Sequence, residues 1–596
     1  MIISFRDLYP FKEFTSSFYF IGFNTENLLS LEKKGISVSF LAKERMTILN
    51  EIRDDIINFD KGIADVSDPL WLASDLAENN ICLENFNLYI LNTLSIIRNE
   101  RLQKKGVVFI CDDDEQVYLY KSLLKGNGLK ITGRVNYFKL LRRLMGCLTQ
   151  KVLGLYQSVC KVVILRSLRR GYRVKLQTED LEKTDILCMN WVAEQSFRDG
   201  NLFLKDRYFG DLLSKLKQKK LKVAVMGKAL DFVCSFKEIA RSAINEKSQV
   251  YFLQDFLKIS DIFKIFFQSF GFLKYFNHPF VVKDVNFSHL WQWFCLKDAL
   301  KPRIPSALET FHAARSICKT IKNPDIKLIY PYENQAWEKV LALAFAQKFS
   351  SNHLYAYQHF PVSKDYLTIY PSNAYRERKI NPKILLSDSF FGNYLREKGC
   401  GDTTLLGNFR FENVLKNDQQ CSSVKKEDIL CACSIQFNDS LELISRSIKL
   451  IQKFDPTFQQ KITLTVNFHP LMRDIEKKKI RELFSDARIN IHWSPLSADE
   501  LLKSTRIVFY NSNSICLNAA ANGIPAVFIS SDLQIDLDRI PDISIKDDEL
   551  GIKKIESILS NEDHYRMESN LFRGYFESYF VPPQHSILNE IFKRGQ

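Results

Sequence analysis

The sequence predicts an α/β protein with parallel sheets and more than one domain. Three observations carry this. Short β-branched and aromatic runs recur along the chain and alternate with helical patterns, as parallel strands require, because each crossover must return over the sheet. Several of these runs stop in polar residues, as strands do where an open α/β sheet meets a ligand. The 596 residues also exceed what a single hydrophobic core organises.

Composition narrows the class. With 46% hydrophobic and 26% charged residues, the chain is globular, and its few glycines and prolines exclude collagenous or low-complexity character. The 13 cysteines lie scattered in apolar runs such as Leu430-Cys431-Ala432-Cys433. They read as reduced core thiols of a cytoplasmic protein, without disulfide framework or zinc site. The start, Met1 to Phe14, lacks the layout of a signal peptide. No uncharged apolar run reaches the roughly 18 residues of a spanning helix.

The formal charge of +14 is concentrated. Residues 116–178 contain no Asp or Glu but carry 14 Lys and Arg, the entire excess of 83 bases over 69 acids. Within them, Leu140 to Leu168 places apolar residues at intervals of three and four with bases between. Such a helix fits an anionic membrane surface, where each base contributes on the order of 1 kcal/mol. A solvated surface helix is the plainer reading. Nucleic acid is disfavoured because no recognition module surrounds the patch and its apolar residues are mostly aliphatic.

Taken in order, Ser17 to Asn24 and Ile36 to Leu41 read as strands around a helical Leu28 to Gly35. Val107 to Cys111 is a buried strand ending in Asp112, Asp113 and Asp114, which read as a charged loop rather than a metal site. After the basic region, Thr184 to Trp191 and Leu221 to Lys228 are further strands of a parallel sheet. Val250 to Phe280 is strongly aromatic and reads equally as core, cleft wall or interfacial helix. Lys327 to Tyr332 is a strand followed by Glu333, Asn334, Gln335 and a helix containing Glu338. His353 to Tyr357 ends in Gln358 and His359, Lys383 to Ser387 in Asp388, and Thr403 to Leu406 in Asn408 and Arg410. Four successive strands ending in polar side chains form one rim.

A polar segment, 412–427, reads as an interdomain linker. The strand Asp428 to Cys433 then ends at Ser434. Ile462 to Val466 delivers Asn467, Phe468, His469 and Pro470. Arg506 to Tyr510 ends in Asn511, Ser512, Asn513 and Ser514, followed by a small-residue helix, Gly523-Ile524-Pro525 and another strand. A strand that stops in small polar residues and turns into a helix offers backbone N–H groups to a phosphate. Singly, a His-Pro pair is common and a Ser/Asn cluster is a turn or a cap; together at this spacing they read as a site.

These last motifs resemble the nucleotide-binding half of GT-B glycosyltransferases, especially bacterial transferases that use cytidine-nucleotide donors. The run from Tyr332 through Glu338, Gln358-His359 and Gly407 to Arg410 resembles a bacterial surface-carbohydrate family of O-antigen and capsule clusters. Asn518 departs from the pattern, since many GT-B enzymes place a ribose-binding Glu there.

The resemblance implies two Rossmann-like domains facing across a cleft: an acceptor-binding domain over 1–411 with a basic insertion at about 116–178, a nucleotide-sugar domain over 428–575, and a C-terminal helix, 576–596, crossing back. It implies that His469, Pro470, Ser512, Ser514, Asn511, Asn513, Arg410 and Ser434 hold the donor, with Glu333 as general base and Glu338 and His359 as alternates. It implies no metal and no cofactor beyond the nucleotide-sugar substrate. The expected reaction moves a CMP-linked nonulosonic or Kdo-like sugar to a lipid-linked oligosaccharide, at the inner face of the bacterial cytoplasmic membrane. A UDP- or GDP-sugar transferase, an epimerase of the same fold and a noncatalytic scaffold of a polysaccharide machine remain alternatives.

Overall fold

The computed structural model describes residues 1–5, 17–59, 68–78, 86–99, 102, 107–129, 133–171, 178–193, 195–198, 206, 208–230, 235–245, 250–360, 362–371, 382–400, 402–412 and 428–593. The expected linker falls almost wholly outside them. Strands β1 (Ile2–Ser4), β2 (Ser17–Phe20) and β3 (Val107–Cys111) form a parallel sheet in the order β1-β3-β2. The run Ile36 to Leu41 reads as a strand but supplies only one bridge, Ser39 to Tyr19. Asp112 turns the chain at this sheet, accepting from the Asn24 N–H at 3.0 Å and the Asn27 amide at 2.9 Å. Asp113 caps the next helix through the Gln116 N–H and Asp114 pairs with Lys139 at 2.7 Å. The three carboxylates are structural.

A seven-stranded parallel sheet follows. It contains β4 (Ile186–Val192), β5 (Val223–Ala229) and β6 (Val250–Phe252); then, past a small hairpin of β7 (Val281–Val282) and β8 (Val285–Asn286), come β9 (Lys327–Pro331), β10 (Leu354–Tyr357), β11 (Lys383–Leu386) and β12 (Thr403–Leu405). The order is β12-β11-β10-β9-β4-β5-β6. Strands such as Ile186-Leu187-Cys188-Met189 are buried along their length, as strands covered on both faces must be. The third sheet holds β13 (Asp428–Ala432), β14 (Thr463–Asn467), β15 (Asn490–Ser494), β16 (Ile507–Tyr510), β17 (Ala526–Phe528) and β18 (Ile545–Lys546), in the parallel order β15-β14-β13-β16-β17-β18. The two large sheets are Rossmann-like units. The small sheet pairs with neither: Ile2, Phe109 and Cys111 join the core of the first unit, while its other face packs toward the second, where Leu533 joins its core and the Thr25 hydroxyl donates to the Asn438 carbonyl at 3.1 Å.

The acid-free region forms one helix, Tyr137–Gly171, of 35 residues, about 50 Å long at 1.5 Å per residue. Its bases divide. Arg169 makes two 2.6 Å bonds to Asp255, and Arg143 pairs with Asp113 and Glu115. Arg142, Arg166 and Arg170 are exposed. So are Phe138, Leu141, Met145, Val152, Tyr156 and Val163, whose spacing of three, four and seven places them in one stripe. Val250 to Phe280 folds mostly into the body, although Phe263 and Phe267 are exposed. Among the described residues no helix is long and apolar enough to cross a membrane.

The chain end returns to the first unit. After the helix Glu562–Tyr579, Asn408 donates its N–H to the Val581 carbonyl at 2.8 Å and Gln584 donates to Leu406 at 2.8 Å. Gly407, with φ +90°, makes room for this passage, because a Cβ there would lie 2.4 Å from the Pro582 oxygen. Leu588 and Phe592 then enter the core that lies against β4, β5 and β10. Leu588 is fully buried, so Leu588→Ala is expected to destabilise the first unit by about 2–5 kcal/mol. Urea unfolding monitored by tryptophan fluorescence checks this, Trp337 and Trp191 lying in or against the first unit's other core.

Candidate active site

The carboxyl ends of β9, β10 and β12 bring Glu333, His359 and Arg410 to the cleft, where Arg539 of the second unit meets them. Each position has a local cause. Beyond β9 the chain turns through Asn334, a non-glycine residue at φ 57°, a conformation that asparagine tolerates better than most. The turn is held from below. Glu338 Oε2 accepts from the N–H groups of Glu333 at 3.0 Å and Asn334 at 2.8 Å, and the Asn334 amide donates to the Thr368 carbonyl at 2.7 Å. Glu338 is therefore buried beneath the turn, and burial holds its carboxyl well above the usual range. It positions Glu333 and does not face the cleft.

Glu333 itself is 24% exposed, and one of its oxygens lies 3.5 Å from His359 Nε2. Burial pushes the Glu333 carboxyl up to about 7, against the pull of the Arg539 guanidinium. Burial also drives the His359 imidazole down to about 3, with Arg410 and Arg539 adding repulsion. The pair is close enough for an ion pair, but an imidazole so depressed is neutral at pH 7, and the contact is one between a carboxyl group and a neutral ring. His359 sits edge-on to Tyr208, with ring centroids 4.8 Å apart. Gln335 donates to Glu333 from the other side.

In the second unit, β13 lies between β14 and β16, so Ser434, His469 and Ser512 stand on one edge of one sheet. His469 is half-buried and its Nδ1 accepts from the Leu471 N–H at 3.2 Å. That bond places the ring proton on Nε2, which becomes a donor. Pro470 is exposed. The Asn511 amide donates to the Asp439 carbonyl at 3.1 Å and the Asn513 amide to the Ala432 carbonyl at 2.5 Å. Both asparagines thus stitch the turn to β13 and the helix after it. Ser434 accepts from the Gln436 N–H at 3.1 Å and shapes its own turn. Ser512 is half-buried, and Ser514 opens the short helix Ile515–Ala521 without a capping bond from its side chain. Asn518 bonds Asp499 at 3.1 Å.

Arg539 joins the two halves. Its Nε donates to the Ser512 carbonyl at 2.7 Å, and its guanidinium lies 5.2 Å from the centroid of the Phe360 ring, next to His359. Sequence reasoning misses this residue, which sits between acidic neighbours in a stretch without periodicity. The contacts of the structure thus bring Glu333, His359, Arg410, Arg539 and Ser512 near one another. Among the described residues no cluster of His, Cys, Asp and Glu has the arrangement of a metal site.

No family model matches this chain, and no curated protein matches it. Solved structures resemble it remotely. The Neisseria meningitidis UDP-GlcNAc 2-epimerase bound to UDP-GlcNAc is 11% identical, over 68% of this chain and 98% of that one, with a TM-score of 0.40. The S. aureus MnaA-UDP structure is 10% identical, over 68% and 94%, with a TM-score of 0.39. Acinetobacter baumannii MurG is 11% identical, over 69% and 100%, with a TM-score of 0.38. At these values the functional reading rests on the chain's own residues.

The raised Glu333 carboxyl has a consequence for stability. A carboxyl at about 7 when folded and near 4.3 when unfolded leaves folding unaffected at acidic pH, and stability falls as pH rises between these values. Glu333→Gln removes that loss. Relative to the wild type, the variant is expected to gain up to about 3 kcal/mol on going from pH 4 to pH 8. Parallel denaturant titrations of both proteins at the two pH values measure it.

Proposed function

We propose that the chain is a GT-B glycosyltransferase that moves a sugar from a nucleotide-activated donor to a carbohydrate acceptor. The donor we infer is a CMP-linked nonulosonic or Kdo-like sugar, and the acceptor a lipid-linked surface polysaccharide. The observation that carries the reading is the meeting of a carboxyl near neutrality, Glu333, with Arg539 and the Ser512 turn across the cleft.

Transfer needs an acceptor hydroxyl made nucleophilic and a leaving phosphate neutralised. Glu333 takes the acceptor proton; a base with pKa near 7 combines adequate ionisation at neutral pH with useful basicity. Neutral His359, packed against Tyr208 and Phe360, orients the carboxyl without drawing off its charge. Arg539 and Arg410 supply positive charge for the departing phosphate. His469 Nε2–H and the hydroxyls of Ser512 and Ser514 donate to its oxygens, a preorganised donor set of the kind that stabilises developing charge.

Glu333→Gln is expected to lower kcat about 10²–10⁴-fold with donor binding intact, and the wild-type rate is expected to rise as pH passes through about 7. His469→Ala and Arg539→Met are expected to weaken the donor instead. If all three variants transfer normally, the assignment is wrong. The donor is identified by thermal shift with CMP, CDP, UDP and GDP: the matching nucleotide at 100 times its Kd contributes about 2.7 kcal/mol. Preference for UDP would make the chain a UDP-sugar transferase or an epimerase, and no response to any nucleotide would favour a scaffold.

We further propose that the helix Tyr137–Gly171 lies on an anionic membrane surface. Its exposed stripe of Phe138, Leu141, Met145, Val152 and Tyr156 would enter the headgroup boundary, flanked by exposed Arg142, Arg166 and Arg170, as interfacial helices do. Flotation with anionic vesicles tests it: replacing Phe138, Met145 and Tyr156 by Ser should abolish cofloating, and unchanged cofloating would refute the surface.

A further inference from the structure

The seven-stranded sheet contains a second crevice, beside the cleft. The chain runs outward from β4 through β5 to β6, then returns to the other side of β4 as β9 and runs outward again to β12. The loops leaving β4 and β9 therefore part in opposite directions, and in open α/β sheets the gap at such a reversal is where ligands bind. A cavity of ≈ 440 Å³ lies there, within the range of about 300–1,000 Å³ of small-molecule sites. Trp191 and Lys228 line it from the sheet and Trp337 from the helix Ala336–Ala346 that follows β9, and the helix Tyr137–Gly171 covers it with Gln157 and Ser158. Gly154 lets that helix close over the space, since a Cβ there would come within 3.1 Å of Pro302.

Lys228 stands out among the cavity's charges. Its Nζ lies 4.6 Å from the Trp191 ring centroid and 5.0 Å from that of Trp337, and the two indoles meet edge to face at 5.7 Å. Of the neighbouring cations, Lys151 is held by the Ala299 carbonyl and the Phe270 ring and Arg303 by Asp75 and Glu78, while Lys161 also lines the cavity and, with Arg303, repels the Lys228 ammonium. Lys228 has no hydrogen bond and no carboxylate at ion-pairing distance among the described residues; Glu309, on the cavity wall, and Glu338 act on it only from farther away. Burial brings its ammonium down to about 7, so an anion set beside it would restore the full charge. Aromatic faces with one cation between them suit the apolar face of a pyranose bearing a negative substituent.

We propose that this cavity binds an acidic sugar, with its carboxylate or phosphate on Lys228 and its ring against Trp191 and Trp337. The inference rests on the transferase reading and deepens it: the acceptor whose hydroxyl reaches Glu333 is negatively charged. Gln335 links the two places, because its Oε1 accepts from the Trp337 indole at 2.7 Å while its Nε2 donates to Glu333.

Calorimetric titration of the full chain with galactose, galacturonate, galactose 6-phosphate and inorganic phosphate tests it. One acidic sugar is expected to bind at least about tenfold more tightly than galactose, as a charge-assisted bond implies. Whichever acid wins identifies the anion as carboxylate or phosphate. Its affinity should fall as pH is raised from about 6 to about 8, because only the ammonium form receives it. Lys228→Met should erase the preference and Lys228→Arg retain it, with nucleotide binding unchanged in both. Equal binding of galactose, inorganic phosphate binding as tightly as its sugar ester, a preference surviving in Lys228→Met, or no saturation by any probe at about 10 mM would each overturn the proposal. Should Lys228→Met not fold, the pH dependence measured in Glu333→Gln decides, because the Glu333 carboxyl also ionises near 7 and that variant leaves the Lys228 ammonium to titrate alone. Acidic-sugar binding without nucleotide binding would sink the transferase reading and leave the cavity assignment standing.

Discussion

Parallel pairing is the constraint on which the rest of this molecule depends. Every strand pair in the two large sheets is parallel, so every carboxyl end of a sheet lies on one edge. Polar loops gather there because the amino-terminal ends and both faces are occupied by returning helices. Each sheet also reverses its direction of growth once, between β4 and β9 and between β13 and β16. The loops on either side of these reversals cannot pack on each other and must be joined by side chains or left open. In the second unit Asn513 crosses to the end of β13. In the first, the indoles of Trp191 and Trp337 meet there.

Burial sets the chemistry of the cleft more than charge does. Glu333 and His359 face each other, yet the low-polarity surroundings raise one group and lower the other, so that both tend to neutrality. Coulombic attraction within such a pair would be large only if both were ionised, and desolvation opposes that. Arg539 tips the balance toward the carboxylate from the far side of the cleft. Beneath them one oxygen of the buried Glu338 carboxyl accepts from two backbone N–H groups, which fixes where Glu333 stands.

The fold class was legible because parallel strands buried on both faces must be uninterrupted apolar runs. Ile462 to Val466 and Arg506 to Tyr510 could be read directly, and they form β14 and β16. The partition of strands among sheets was not legible. Periodicity says that Val107 to Cys111 is a strand but not that it pairs with β1 and β2 in a sheet of their own. Side-chain duties divide in the same way. The residue types of Asn511 and Asn513 suggest phosphate contacts, while the fold turns both amides toward main-chain carbonyls. Arg539 carried no signal, since its importance comes from the approach of Phe360 and His359 on a distant segment. Local pattern encodes elements; which remote groups meet depends on how units dock.

The return of the chain end to the first unit has a structural result. The polypeptide passes between the large units at Phe411 and again at Phe580, and these rings stand 5.1 Å apart, with Phe576 5.5 Å from Phe411. Both passages thus meet in one aromatic cluster that is part of the second unit's own core, so the seam between the units and that core share the same side chains.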